Sequence, residues 1–357
     1  MQKLRDQLCI QGRERGIQVA AYHRGKLIVN AWAGVADVRS GTLVSQDTLF
    51  PVFSVSKGLF ATVMHQLVDR GELHYSTRVA EVWPEFGGHG KEAVTVEQIL
   101  RHRAGITKLP SDTSLADTLD WERICGIVAE RPLEWESGTR CEYHGLTYGW
   151  ILGEVARRVT GKMPDVLLRE NVMEPLGITE MYMGLPESED SRVAWLEEPE
   201  AEVPENDGSP QVVPFAMQPL GSWMNRPEGR RACGPAGNGI ATAEALARHY
   251  AGLLPGGVNG VELLSPERVG IATTQIPLPV PPPEDAPDNF GLGYAVKILE
   301  TPITGCSGVF GHGGHGGSMG FADRESGLAV GITRNLLQAE SPLQEVVEEL
   351  MAISGKQ

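Results

Sequence analysis

The chain has 357 residues, with 31 Lys+Arg against 46 Asp+Glu and a formal charge of −15. Its 41% hydrophobic and 22% charged residues exclude disorder as the main state. The acidic excess excludes nucleic acid or an anionic membrane as principal partner, since both demand a basic face. With 43 Gly and 24 Pro, a loop-rich enzyme is expected rather than a helical bundle.

In chain order, residues 3–15 read as a helix with Leu4, Leu8 and Ile10 on a partial apolar stripe. Ile17–Tyr22 and Leu27–Trp32 predict a hairpin turning at His23-Arg24-Gly25. Thr48–Phe53 is a further short apolar run. It leads directly into a buried helix over 54–70, with Leu59, Val63, Met64, Leu67 and Val68 at helical spacing and Gly71 as the stop. Thr95-x-x-Gln98 is a capping-box pattern that opens a short helix to His102. Trp121–Glu130 and Leu146–Thr160 are helical, and residues 187–207 read as a solvated acidic excursion.

Thr242–Leu254 predicts another helix, and PLPVPPPEDAPDN (277–289) a stiff extended connector. Strand-like runs follow at Leu292–Leu299, Gly308–Phe310, Ser318–Ala322 and Leu328–Thr333, then a helix at Pro342–Ile353 carrying Leu343, Val346, Val347, Leu350 and Met351 on one face. Strands at both chain ends with helices between predict an α/β (α+β) fold: one antiparallel sheet built from both termini, flanked by helices, with a mostly helical insertion. The chain is expected to be a single catalytic unit. Residues 1–70 and 235–357 would form the sheet domain and 71–234 the insertion, which includes the acidic loop 187–207.

No apolar run of secretory length follows the early charges, so no signal peptide is expected and the compartment is read as cytoplasmic. No stretch is long and apolar enough to predict a membrane span. Cys9, Cys125, Cys141, Cys233 and Cys306 are scattered and form no C-x-x-C, which predicts reduced thiols rather than disulfides or a zinc site.

Three local patterns carry chemistry. Ser54-Val55-Ser56-Lys57 opens the buried helix and puts Ser54 and Lys57 on one face, one turn apart. A serine hydroxyl needs a nearby base, and a lysine can serve once burial lowers its pKa. At the helix N-terminus the N–H of Ser54 is also available to an oxyanion. Second, Tyr143-His144-Gly145 stands at a loop–helix junction, where a phenol can point into a cleft and relay a proton. Third, His312-Gly313-Gly314-His315 is a glycine-rich entry to a strand, through which backbone N–H groups can approach a ligand closely. His312 and His315 lack a neighbouring third metal ligand, so no metal is expected, nor any other cofactor.

Taken together, Ser54-x-x-Lys57, Tyr143-His144-Gly145 and His312-Gly313-Gly314 resemble the serine β-lactamase-like superfamily. That group contains class C β-lactamases, DD-peptidases, family VIII carboxylesterases and related transesterases. Supporting stretches are similar too: Ile99-Leu100-Arg101-His102-Arg103-Ala104-Gly105-Ile106, Pro132-Leu133-Glu134-Trp135 and Tyr143 to Trp150. The resemblance covers roughly residues 10 to 337. It implies Ser54 as acyl-accepting nucleophile, with Lys57 and Tyr143 as proton partners, and leaves open which of the two acts first. His312 takes the place of the lysine in the K-T-G triplet, and His315 would supply the second oxyanion N–H. His144, Gly145, Gly313 and Gly314 would line the substrate side, and Trp135, Trp150 and Trp223 are candidate cleft walls.

Two departures shape the expected function. Gly145 stands where class C enzymes have the Asn of Y-x-N, and His312 removes a permanent cation that would meet a β-lactam carboxylate. Together with the missing signal, these favour the esterase branch. The expected activity is that of a serine esterase or acyltransferase, with secondary metabolism as one setting, taking a small-molecule ester and, in transfer, an acyl acceptor. A β-lactamase or DD-peptidase is the alternative reading, and a non-catalytic acyl-binding protein a third.

Overall fold

The computed structural model describes residues 7–199, 205–278, 289–296, 308–338 and 343–354, with side chains of the last segment described over 345–350. Four strands come first: β1 (Gly16–His23), β2 (Lys26–Asp37), β3 (Thr42–Leu43) and β4 (Phe50–Phe53). β5 (Met181–Met183) and β6 (Gly239–Ala241) follow. Next are β7 (Ala295–Val296), β8 (Val309–Gly313), β9 (Met319–Asp323) and β10 (Leu328–Arg334). The main sheet has seven strands in the order β3-β2-β1-β10-β9-β8-β7, with every pairing antiparallel. β4, β6 and β5 form a separate three-stranded sheet.

The helices that frame the site are α1 (Val55–Asp69), α2 (Val96–Leu100), α3 (Trp121–Ala129), α4 (Thr147–Thr160), α5 (Leu220–Met224), α6 (Ala243–Ala251) and α7 (Leu343–Ser354). The β1–β2 hairpin turns on Arg24 and Gly25, both at positive φ, as a tight two-residue turn requires. α2 carries the capping box read from Thr95 and Gln98, with both reciprocal hydrogen bonds present. Gly71 and Gly161 adopt the left-handed conformation just beyond α1 and α4.

The centre of the main sheet is buried on both faces, which explains why β1 reads as a nearly continuous apolar run rather than an alternating one. Ile17, Val19 and Ala21 face a layer containing Leu8 and the α7 residues Val346, Val347 and Leu350. Ala20 and Tyr22 face the larger core that contains α1 and α6. Gln18, buried between these layers, has its amide fully used. Its Nε2 donates to the carbonyls of Ser45, Gln46 and Thr48, and its Oε1 accepts from Ala243 N–H. The approach to β4 and the start of α6 are thereby tied to β1. No helix among the described residues is long and apolar enough to cross a membrane.

The structure corrects two expectations. The N-terminal helix is described only over 7–10 and is followed by turns, with Gly12 at φ +70°, well short of residue 15. The acidic stretch is not a uniformly solvated excursion. Ala194 and Leu196 are buried, and backbone bridges join Val193 to Leu49 and Glu197 to Leu336. The alternation of apolar and acidic residues there marks an irregular segment with one side against the core. The connector at 279–288, the strand beyond Val296, Leu4, Cys306 and the Met351 side chain lie outside the described residues.

Candidate active site

The site begins with a backbone anomaly. Phe53 ends β4 at φ +47°, a conformation that a bulky residue adopts only under constraint, at a typical cost of about 1–3 kcal/mol. The constraint is visible. Phe53 pairs with Gly239 of β6, its carbonyl accepts the Ser56 hydroxyl, and that hydroxyl accepts in turn from Gly239 N–H. Ser56 is thus the structural serine of the S-x-S-K run. Ser54, which caps α1, adopts φ −66°, ψ −7° and makes no side-chain cap bond, so its hydroxyl is not spent on the helix.

That hydroxyl instead meets Lys57 and Tyr143. Lys57 Nζ lies 3.2 Å from Ser54 Oγ and donates to the carbonyls of Gly145 at 2.6 Å and Ala236 at 2.8 Å. Lys57 is completely buried, and burial pushes its pKa well below the usual lysine value. The Tyr143 side chain hydrogen-bonds to Ser54. Burial raises its phenol's pKa, and the bond to Ser54 lowers it only in part. Lys57 Nζ sits 4.7 Å from the Tyr143 ring centroid, and the ring packs on His102 and Phe290 at 4.7 and 5.9 Å.

Ser54 and Tyr143 open onto a cavity of ≈ 400 Å³ whose wall is mainly apolar, with Leu146, Val212, Val213, Met217, Trp223 and Met224 among its residues. Gly145, His312, Gly313 and His315 also line it. A Cβ on Gly145 would come 2.4 Å from Val212 Cγ1, so the asparagine place of Y-x-N is taken by a side chain from another segment. His312 Nδ1 lies 2.6 Å from the Gly313 carbonyl and must carry the proton there, while Nε2 is buried with no partner. Burial, assisted by Lys57, holds the His312 pKa down at about 3, so the imidazole is neutral near pH 7. The His315 ring lies edge-on to Phe53 at 5.4 Å, and its Nε2 pairs with Glu198. Among the described residues, no backbone carbonyl accepts from the N–H of Ser54 or of His315.

Other candidates lie elsewhere. His144 is fully buried outside the cavity: its Nδ1 donates to the Glu142 carbonyl and its Nε2 accepts from Ile106 N–H. It braces the Arg101–Ile106 stretch and is not among the residues that line the cavity. Gly314 lies behind the wall, where a Cβ would come 2.1 Å from the Val52 carbonyl oxygen. Trp223 is a cavity wall, whereas Trp150 is core and Trp135 packs on Gly105 and beside Arg140. Sequence reading missed Ala236, whose carbonyl reaches Lys57, and Val212, Met217, Met224 and Glu198. The small-residue run Gly234-Pro235-Ala236-Gly237 was the one available signal, because it lets α4 approach. A Cβ on Gly149 would lie 2.4 Å from Ala236 N.

Comparison with known proteins identifies the family. A sequence model of the family described as Beta-lactamase matches residues 1–349. The chain is 37% identical over 347 residues to the esterase/beta-lactamase LipL of Mycobacterium tuberculosis (strain ATCC 25618 / H37Rv), covering 90% of this chain and 77% of LipL. A crystal structure of a family VIII carboxylesterase superposes with a TM-score of 0.83 at 31% identity, covering 97% of this chain and 95% of that one. A penicillin-binding protein homologue from Caulobacter crescentus gives 0.80 at 34% identity, covering 94% and 90%. The match spans nearly the whole sequence and the same fold, and the chain therefore belongs to the beta-lactamase family.

Proposed function

We propose that this protein is a serine ester hydrolase or transesterase that works through an acyl-Ser54 intermediate. The observation that carries the reading is the Ser54 hydroxyl held between Lys57 Nζ and Tyr143 at the floor of an apolar cavity. As a neutral amine, Lys57 has two N–H bonds to give, and the carbonyls of Gly145 and Ala236 take both. The lone pair then faces Ser54 Oγ, which makes Lys57 the first base. Tyr143, its phenol kept protonated by burial, suits the complementary role of acid to the departing alcohol.

In this mechanism Ser54 Oγ bonds to the ester carbonyl carbon as its proton passes to Lys57. The oxyanion is received by the N–H groups of Ser54 and His315. Collapse breaks the ester C–O bond while Tyr143 protonates the leaving oxygen, and the Lys57 ammonium restores the phenol proton. Water or a second alcohol then resolves the acyl-enzyme by the same steps in reverse. The closed place at Gly145 and the neutral His312 weigh against a β-lactam as the principal substrate. The thiols of Cys125 and Cys233, which form no disulfide, are compatible with a reducing cytoplasm.

A fluorophosphonate probe followed by peptide mass spectrometry should label Ser54, and Ser54→Ala should lose both label and p-nitrophenyl butyrate turnover. Lys57→Ala and Tyr143→Phe should each lower kcat by about a thousandfold or more. A label on any other residue, or near-full activity in Ser54→Ala, rejects the assignment.

A further inference from the structure

The reactive cavity is the inner of two. A second space of ≈ 880 Å³ shares Val212, Val213, Leu220 and His315 with it, so the two spaces adjoin along those residues. Their chemistry differs. Where the inner wall is largely apolar, the outer one carries Lys108, Glu198, Gln211, Gln218 and Gln338. Glu198 is already engaged. Its carboxylate accepts from Gly221 N–H at 2.8 Å and pairs with His315, and these contacts hold its pKa below the ordinary glutamate value against the cost of burial. Gln218 Nε2 is likewise used, on the Val213 carbonyl at 2.8 Å.

Lys108 is different. Its backbone N–H is fixed by the Glu134 carboxylate at 3.0 Å, which also binds the N–H and hydroxyl of Thr107. The ammonium at the end of the side chain pairs with no carboxylate among the described residues. A lysine that lines a polar space, with its backbone anchored and its ammonium in no ion pair among the described residues, can meet an anion from outside the protein. Because His312 is neutral, the inner chamber offers no competing permanent cation on that wall.

We propose, resting on the esterase reading above, that the outer chamber is a second substrate subsite and that Lys108 receives a carboxylate there. The substrate class is an ester with an apolar segment beside the scissile carbonyl and a free carboxylate at its far end. The carboxylate can belong to the acyl half, as in a dicarboxylic acid half-ester, or to the alcohol half, as in the ester of a hydroxy acid. The chemistry at Lys108 is the same in both.

The test uses matched pairs on the intact protein. One arm compares p-nitrophenyl monoesters of glutaric, adipic, pimelic and suberic acids with their methyl-capped diesters. The other compares 4-butyryloxybenzoate with its methyl ester. In at least one arm the free acid should exceed its capped partner by about tenfold in kcat/KM, expressed mainly in KM, as expected for one partly desolvated charge pair. That ratio should fall to about 1 in Lys108→Gln and persist in Lys108→Arg. Calorimetric titration of the Ser54→Ala variant with monomethyl suberate and monomethyl adipate reads the same contact without turnover, and its affinity should fall when Lys108→Gln is added. If both arms give ratios near 1, or if the preference survives Lys108→Gln, the subsite is rejected while p-nitrophenyl butyrate turnover still reports on the esterase reading. If turnover is absent but half-ester binding depends on Lys108, the esterase reading fails and the subsite stands.

Discussion

Gly145 occupies the position where class C enzymes of this family carry an asparagine, and the reason lies in a different segment. Val212 fills the volume that a side chain at 145 would need, and the Gly145 carbonyl holds the Lys57 amine. Gly145→Asn therefore forces two changes at once: overpacking against Val212, which typically costs about 1–3 kcal/mol, and displacement of the Lys57 amine. We expect this substitution alone to reduce kcat/KM for p-nitrophenyl butyrate at least about tenfold and to lower Tm. Adding Val212→Ala should recover part of both, and a single variant with wild-type kinetics and Tm would show that no interlock exists. This pair also marks the limit of what the sequence reveals at residue scale. Ser54 and Lys57 could be paired because three residues on a helix share a face, and Tyr143 entered through the resemblance of Tyr143-His144-Gly145 to the family's tyrosine motif. The Ala236 carbonyl and the Val212 methyl were not, because a backbone oxygen has no residue signature and an apolar contact across distant segments leaves no spacing to read.

At the scale of elements, the turn between β8 and β9 holds His315 in place. Gly316 and Gly317 have φ of +76° and +98°, and a Cβ on Gly316 would lie 2.2 Å from Leu337 Cδ2, so glycine is required there by both backbone and space. From beneath, Arg334 of β10 donates through Nη1 to the Gly316 carbonyl at 3.0 Å, and its backbone N–H donates to Ser318 Oγ. Arg334 is itself held by Glu14 at 2.9 Å, and both side chains are buried. Arg334→Met strands the carboxyl and should destabilise the fold by about 3–5 kcal/mol in urea unfolding. Adding Glu14→Leu should restore most of that stability without restoring the donor to Gly316. The double variant is therefore expected to unfold near the wild-type midpoint with a depressed kcat. Recovery of kcat along with stability would mean the pair supports the fold but not the turn. The hairpin, the capped helix and α1 were readable because their signals are local and periodic. The Glu14–Arg334 pair was not, because its members come from opposite ends of the chain.

For the molecule as a whole, five buried histidines set the response to acid. Burial holds His65, His249 and His312 at about 3 and His144 at about 4, and His102 is pushed well below its usual value. Each stays neutral in the fold but binds a proton in the unfolded chain below about pH 6.5, so its contribution is present above 6.5 and is lost as pH falls toward its folded value. Glu14 acts in the opposite sense, since burial lifts it to about 7 and the fold holds its proton between 4.5 and 7. The net is an uptake of about four protons on unfolding near pH 5, at about 1.4 kcal/mol per proton per pH unit. Against a typical stability of about 5–15 kcal/mol, cooperative unfolding is expected between about pH 5.5 and 4. Urea titrations at stepped pH check this, and a pH-independent midpoint across that interval would contradict it. The centre of the main sheet sets a different constraint, one of time. β1 pairs with β10 in a register that brings Ile17 against Arg334. On a ribosome adding about 5–20 residues per second, the inner edge of the first hairpin waits roughly 15–60 s for its neighbour. During synthesis that edge, destined for the middle of the sheet, is an open apolar strand, a template for pairing with another chain until β10 emerges.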